Sequence, residues 1–313
     1  MLSLFLGSGF SKWAANLPLA RELFDFDILL RGPREEQRLE RLKKLKSYWD
    51  YQNPSEYPEK FIAYAHEMYK KKDLNILLWY IVRRLSDPFL VADRWSPRLR
   101  TPMIDEKIVM ELPGVRLARM FLQKCRPSSI VTTNYDMLVE YALGTKSFNY
   151  GIKSQVLEGR GVDSVPKWNQ GPPVLSGDVP LIKLHGSVNR DLTSYCSEGR
   201  RGITGNALIV APVHEKKPPV QLQNEWNLAR ECLMKSNKLV VFGFAFKEYD
   251  QAVLNLLREA GRKLDLVLLI DPTPKKDAAS KLWPEARIST IPPPDADFKL
   301  VKEWSGFVAT VFR

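Results

Sequence analysis

The sequence predicts an α/β protein, a parallel sheet with helices on both faces and a helical module inserted after the first strand–helix unit. Three observations carry this reading. Strand-like runs ending in glycine or polar turns recur near residues 2, 129, 181, 207, 239 and 265. Segments of helical spacing separate most of them. The runs are continuously apolar rather than alternating, as strands buried on both faces are.

The first strand, Leu2 to Leu6, ends in Gly7-Ser8-Gly9-Phe10-Ser11. A glycine turn that opens a helix lets backbone N–H groups approach a phosphate, and the positive end of the helix favours the anion. Alone, such a turn is as often plain tight packing, so its weight depends on what else converges there. A short helix, a turn over 16–18 and a second helix over 19–24 follow. Leu39, Leu42, Leu45 and Trp49 then fall at helical spacing within 34–51. Phe61, Tyr64, Ala65, Met68 and Tyr69 repeat that spacing, as do Leu74, Leu77, Leu78, Ile81 and Leu85. With no strand between 21 and 85, residues 21–109 are expected to form the inserted helical module. Residues 1–20 and 110–313 are expected to form a Rossmann-like catalytic domain.

A proline-punctuated connection over 88–113 leads to a helix over 114–125, with Val115, Ala118, Phe121 and Leu122 inward. Next comes a β-branched strand from Ser128 that closes on Thr133-Asn134-Tyr135-Asp136, then a helix over 137–143. Residues 144–180 read as loop with a short hairpin. Strands follow over 181–184, running into His185-Gly186, and over 207–210. A helix over 222–234 precedes the strand 238–242, which Gly243 closes. A helix over 249–260 precedes the strand 265–270, which ends in Asp271-Pro272. Residues 307–312 are expected to add an edge strand. Polar groups thus gather at strand ends, the place where open α/β sheets bind ligands.

Composition narrows the setting. No apolar run is long enough to span a membrane, and the opening MLSLFLG lacks the basic start and cleavage site of a signal peptide, so a cytoplasmic location is expected. The net charge of +11 comes from lysines and arginines spread along the chain, which reads chiefly as solvated helix faces. Cys125, Cys196 and Cys232 form no C-x-x-C pair and read as reduced thiols. His66 and His214 have no metal-ligand spacing with a partner, so no metal site is expected.

Four motifs in order, G-S-G-F-S, T-N-Y-D, L-H-G and a strand ending G-F-A-F, resemble the sirtuin fold. The resemblance is nearest to the prokaryotic sirtuin-like branch, many of whose members hydrolyse NAD in anti-phage defence, and it covers residues 1–18 and about 128–272. It implies that Gly7, Ser8, Gly9 and Ser11, with Phe10 among them, form a phosphate-binding turn. It implies that Asn134 lies beside the nicotinamide ribose, with Thr133 and Asp136 completing that motif. His185 matches the histidine that polarises a ribose hydroxyl, and Gly243 matches a glycine lining the dinucleotide cleft. Asp271, an acid at a strand end, is placed to accept the adenosine ribose hydroxyls. The expected catalytic pair is therefore Asn134, orienting water or ribose, and His185, acting as base on either.

The sequence also departs from protein-deacylating sirtuins. Their four-cysteine zinc ribbon has no counterpart, since residues 187–206 hold only Cys196, so no zinc is expected. Ser8 replaces the usual alanine, and Asn16-Leu17-Pro18-Leu19 keeps only the proline of the usual segment. What the resemblance implies is NAD cleavage to ADP-ribose and nicotinamide, with NAD as substrate. The alternatives are ADP-ribosyl transfer or deacylation on the same site, or a non-catalytic module binding a nucleotide or nucleic acid. An uncontrolled NAD hydrolase would harm its cell, and no sensor domain is evident in the sequence. Control is therefore expected from self-assembly, or from a partner protein that senses nucleic acid. Each motif also has a structural reading: Asn134 and Asp136 as caps of the following helix, His185 as a hydrogen-bonded loop residue.

Overall fold

The structure is a computed structural model that describes residues 1–89, 95–96, 101–102, 106–144, 147–151, 177–190, 207–211 and 220–311. Its centre is β1 (Leu2–Leu6), which feeds directly into α1 (Ser8–Ala15). Three long helices follow: α2 (Pro33–Gln52), α3 (Pro58–Met68) and α4 (Lys71–Ser86). A two-residue antiparallel ladder, β2 (Trp95–Ser96) with β3 (Thr101–Pro102), and a short α5 (Glu106–Val109) lead to α6 (Pro113–Cys125). The chain then runs through β4 (Ser129–Thr132), α7 (Leu138–Leu143), β5 (Phe148–Asn149) and β6 (Val179–Lys183). It ends with α8 (Gln223–Met234), β7 (Lys238–Phe242), α9 (Gln251–Ala260), β8 (Leu266–Ile270), α10 (Lys276–Leu282), β9 (Arg287–Ile291) and α11 (Phe298–Val311).

The main sheet has seven strands in the order β5-β6-β4-β1-β7-β8-β9, and every pairing in it is parallel. This is a Rossmann-like α/β fold. From β1 the chain builds outward on one side through β4 and β6, then returns to β7 on the other side. The topology therefore switches direction at β1, and the crevice at such a point is where open α/β sheets hold ligands.

Side chains alternate across the sheet, and both faces are covered. Leu4, Leu6, Ile130, Val240 and Phe242 belong to one apolar cluster, which also contains buried residues of α1 to α4, α6 and α7. Phe5, Val131, Ile182, Leu239 and Val241 belong to a second, completed by α8, α9 and α10. This double burial makes the strands read as unbroken apolar runs. In the first cluster Phe10 meets Phe242 edge-on at 5.2 Å between centroids, and Trp13, Phe121 and Trp304 close around them. Each such aromatic pair contributes about 0.5–1.5 kcal/mol beyond its buried area.

Several expected elements differ. Residues 207–210 do not form a strand of the sheet. Ile209 makes a single antiparallel bridge to Gly186, and Val210 N–H donates to the His185 carbonyl at 2.9 Å. Ala207, Leu208 and Ile209 are apolar because they cover the loop after β6, not because they pair in the sheet. The edge strand expected over 307–312 is instead the last part of α11, whose buried Val301, Ser305 and Val308 fall on one helical face. The strand at that edge of the sheet is β9, and β5 forms the opposite edge. The helix expected over 19–24 shrinks to one 3-10 turn, Ala20–Glu22, and the expected hairpin within 144–180 is replaced, among the described residues, by parallel pairing of β5 with β6. No described helix is long and apolar enough to cross a membrane.

Candidate functional site

A cavity of about 1140 Å³ opens at the carboxyl ends of β1, β4, β6, β7 and β8. It is lined by Ser8, Gly9, Ser11, Thr133, Asn134, Asp136, His185, Gly243 and Asp271, so the structure brings nine of the eleven expected residues to one space. The two others lie behind its wall. Gly7 is the cap of α1, and the Phe10 ring is wholly buried in the aromatic cluster.

The three glycines are required by contact between backbones. A Cβ on Gly7 would meet the Gly243 carbonyl oxygen at 2.3 Å, and one on Gly9 would meet the Gly243 Cα at 2.6 Å. Gly243 itself has φ +65°, a left-handed conformation that disfavours side chains. Gly7 N–H donates to the Phe242 carbonyl at 2.9 Å and Gly9 N–H to that of Gly243 at 3.0 Å, stitching the start of α1 onto the end of β7.

Asn134 fixes the same turn from the other side. Its Nδ2 donates to the Gly7 carbonyl and to Ser11 Oγ, both at 2.9 Å, while its backbone N–H donates to Thr132 Oγ1 at 3.0 Å. Both amide hydrogens are thus engaged by protein, and the acceptor Oδ1 is what remains for a ligand. Asp136 stands one residue before the N-cap of the next helix, Met137, and its Oδ1 accepts the N–H of Leu138, the first residue of that helix, at 3.0 Å. Asn134 does not cap it.

His185 follows β6 and is buried, with Nε2 3.4 Å from Asp250 Oδ1 and its ring 6.4 Å from that of Tyr135. Trp226 Nε1 donates to the Leu184 carbonyl and holds the end of the strand beneath it. A buried polar network fixes the two loops to each other. Lys183 Nζ donates to the Asp136 carbonyl and, at 2.8 Å, to Glu140 Oε1. Tyr150 donates to Glu140 and accepts from Asn189, and Ser187 Oγ donates to the Tyr135 carbonyl at 3.0 Å. Asp271, at the outer end of the cavity, accepts Thr273 N–H on Oδ1 at 2.8 Å.

Sequence reasoning missed the residues that close the cavity above His185. Glu59 on α3, and Tyr249 and Asp250 after β7, are all buried and all line it. Burial and the nearby Glu59 hold the Tyr249 hydroxyl well above its ordinary range, so it serves as a donor. Tyr135 is likewise pushed up, first by burial and then by Glu59 and Asp250. Asp250 looks like an ordinary helix cap in the sequence, and Glu59 an ordinary first-turn acid; no local signal distinguishes either. Burial raises the Cys125 thiol to about 12 and also raises Cys232, which fits unreactive thiols. Cys196 and His214 lie outside the described residues. Among the described residues no group of His, Cys, Asp and Glu has the arrangement to hold a metal ion.

Comparison with solved structures finds similarity to a Sir2 homologue in complex with NAD, at 15% identity and a TM-score of 0.46, covering 100% of this chain and 90% of that one. It also finds Sir2 in complex with the inhibitor EX-527, 2′-O-acetyl-ADP-ribose and a deacetylated p53 peptide, at 15% identity and a TM-score of 0.40, covering 100% and 94%. No curated protein sequence matches. The profile of the SIR2-like domain matches residues 128–291, just over half of the chain, from the strand before Asn134 to the end of β9. The chain therefore belongs to the SIR2-like domain family.

Proposed function

We propose that this chain is an NAD glycohydrolase, cleaving NAD to ADP-ribose and nicotinamide, and that it serves as a controlled anti-phage defence effector in the cytoplasm. The observation that carries the reading is Asn134. Its amide hydrogens tie down the glycine turn of α1 and leave Oδ1 as the free acceptor of a residue that lines the same cavity as His185. Ser8 and the start of α1 suit a pyrophosphate, because a helix N-terminus favours anions. Asp271 keeps one oxygen for the adenosine ribose hydroxyls.

The reaction asks little of the protein. The cationic pyridinium takes the bond pair and nicotinamide leaves as a neutral pyridine, so no general acid is required, and the transition state resembles an oxocarbenium ion. The cleft has to position the ribose, shelter it and remove one proton from water. Asn134 Oδ1 is the acceptor that orients the water or a ribose hydroxyl, and His185 is the base. Three cysteines cannot build a four-cysteine zinc ribbon, which favours water over an acylated protein lysine as acceptor and leaves zinc out of the proposal. Control by self-assembly, or by a partner that senses nucleic acid, belongs to the same proposal, as does the assignment of residues 21–109 as an inserted module.

The test is nicotinamide release from NAD, with ADP-ribose followed by chromatography, beside Asn134→Ala and His185→Ala. Release that falls by about 10²-fold or more in both variants supports the site. Equal release from wild type and variants overturns it, and labelled ADP-ribose on a protein acceptor replaces hydrolysis with transfer.

A further inference from the structure

We propose that Asp250 is a positioning residue for His185, holding the imidazole as its Nε2–H tautomer and leaving Nδ1 as the basic nitrogen in the cleft. The inference rests on the NAD-cleaving reading and adds a residue that the matching motifs do not contain. The geometry is direct. His185 Nε2 lies 3.4 Å from Asp250 Oδ1, and both side chains are more than nine-tenths buried. That separation is long for a formed hydrogen bond and short enough to close by a small ring rotation, as catalytic pairs often do when substrate enters.

The position of Asp250 argues against a purely structural role. It stands at the N-cap of α9, where aspartate ordinarily accepts an N–H of the first turn, yet its side chain makes no capping hydrogen bond. The carboxylate is turned toward the imidazole instead. Its backbone is fixed, because Asp250 N–H donates to the Lys247 carbonyl and Leu254 N–H donates to that of Asp250, both at 3.0 Å. The preceding Tyr249 is pinned to Glu59. Among the described residues no group hydrogen-bonds Nδ1 of His185, and the residue lines the cavity, so with Nε2 turned to Asp250 the other ring nitrogen is the one left for a ligand.

The chemistry balances on this arrangement. Nδ1 takes a proton from the attacking water as the water oxygen bonds to C1′ of the ribose. The C1′–N1 bond breaks and its electron pair leaves on the nicotinamide nitrogen. The imidazolium so formed donates its Nε2–H to Asp250, which orients the ring and faces its charge, the role a buried aspartate plays beside a catalytic histidine elsewhere.

Nitrogen-15 spectra of histidine-labelled protein test the tautomer directly. The chain has three histidines, and the signals lost in His185→Ala assign the ring. The wild type is expected to show a protonated Nε2 and an unprotonated Nδ1. Asp250→Asn, whose amide can donate to Nε2, is expected to move the proton to Nδ1. It should bind NAD by calorimetry within about threefold of wild type, yet release nicotinamide about 10²-fold or more slowly, with partial rescue by Asp250→Glu. A wild-type ring protonated on Nδ1 overturns the proposal, as does Asp250→Asn turning over at the wild-type rate. Wild-type protein that fails to bind NAD overturns the parent reading instead, and the wild-type tautomer still decides the pairing.

Discussion

The Tyr249 hydroxyl donates a 2.8 Å hydrogen bond to Oε1 of Glu59, joining the loop after β7 to a helix 190 residues earlier in the chain. Glu59 belongs to α3, one of the helices between α1 and α6, so those helices do more than cover one face of the sheet. They deliver a buried carboxylate to the cavity that His185 lines. Tyr249→Phe removes the donor and leaves that carboxylate without it. The expected cost is about 1.5–3 kcal/mol, because hydrogen bonds to charged groups are the stronger class. Glu59→Gln keeps an acceptor and should cost less. Urea unfolding of the two variants checks the order; a larger loss in Glu59→Gln would show that Tyr249 is not the group that holds Glu59.

The crossing of α1 over β7 makes a sharper demand. Gly9→Ala would improve helix propensity by about 1 kcal/mol, yet its methyl would meet the Gly243 backbone at 2.6 Å. Overpacking of that kind costs about 1–3 kcal/mol, and the contact is with backbone, which cannot rotate away. Gly243→Ala adds a left-handed penalty of about 1–2 kcal/mol to a comparable collision. Thermal unfolding should therefore rank wild type above Gly9→Ala and Gly9→Ala above Gly243→Ala. A Gly243→Ala protein as stable as wild type would mean that the turn relaxes freely and is no rigid phosphate platform.

The same collisions explain why the glycine turn was legible in the sequence. A strand that runs into two closely spaced glycines has few ways to continue, and β1, α1 and the cleft all follow from that turn. Buried strands such as β7 and β8 were equally plain, because two covered faces leave no polar position. Legibility failed where a segment's exposure departed from its type. Arg287–Ile291 is a partly exposed edge strand without an apolar run, so β9 went unseen. Residues 207–210 are apolar because they cover a loop, and they imitated a strand. Phe307 points outward from α11, yet with Val308 and Val311 it reads as a β-rich run. Asp250 and Glu59 act through tertiary neighbours far away in sequence, and no local pattern could announce them.

Acid should weaken the helices beyond α1 through two carboxylates. Asp73 on α4 is held below the ordinary range mainly by its hydrogen bonds to Arg41 on α2, the second of them 2.9 Å from Nη2 to Oδ2. Glu22 is lowered first by Lys12, at 2.9 Å. A carboxylate depressed in the folded state contributes fully above its unfolded value and loses that contribution as pH falls through the folded one. The melting temperature should therefore decline from pH 5 toward pH 2, a window set by ordinary carboxylate values of about 4 and their downward shift. Asp73→Asn should melt below wild type at pH 7, with the gap narrowing in acid. A gap independent of pH would assign the effect to packing rather than charge.

Lys183 and Glu140 pose the reverse case, a charge pair deep inside the protein. Lys183 is 1% exposed and Glu140 is 5% exposed, and the 2.8 Å bond between them lies directly beneath the loops that carry Asn134 and His185. Removing one partner leaves an uncompensated buried charge, which costs about 3–5 kcal/mol. Lys183→Met should therefore be severely destabilised, and Glu140→Leu similarly so. The pair itself need not be a net source of stability, because taking two charges out of water offsets most of their attraction. Lys183→Met with Glu140→Leu should recover most of the loss in chemical unfolding. Lys183 also donates to the Asp136 carbonyl, a bond the double variant lacks. A stable double variant that releases nicotinamide more slowly would therefore mean that the pair serves to hold the Asn134 loop in register with His185. Full activity in that variant would leave the network a purely structural element of the fold.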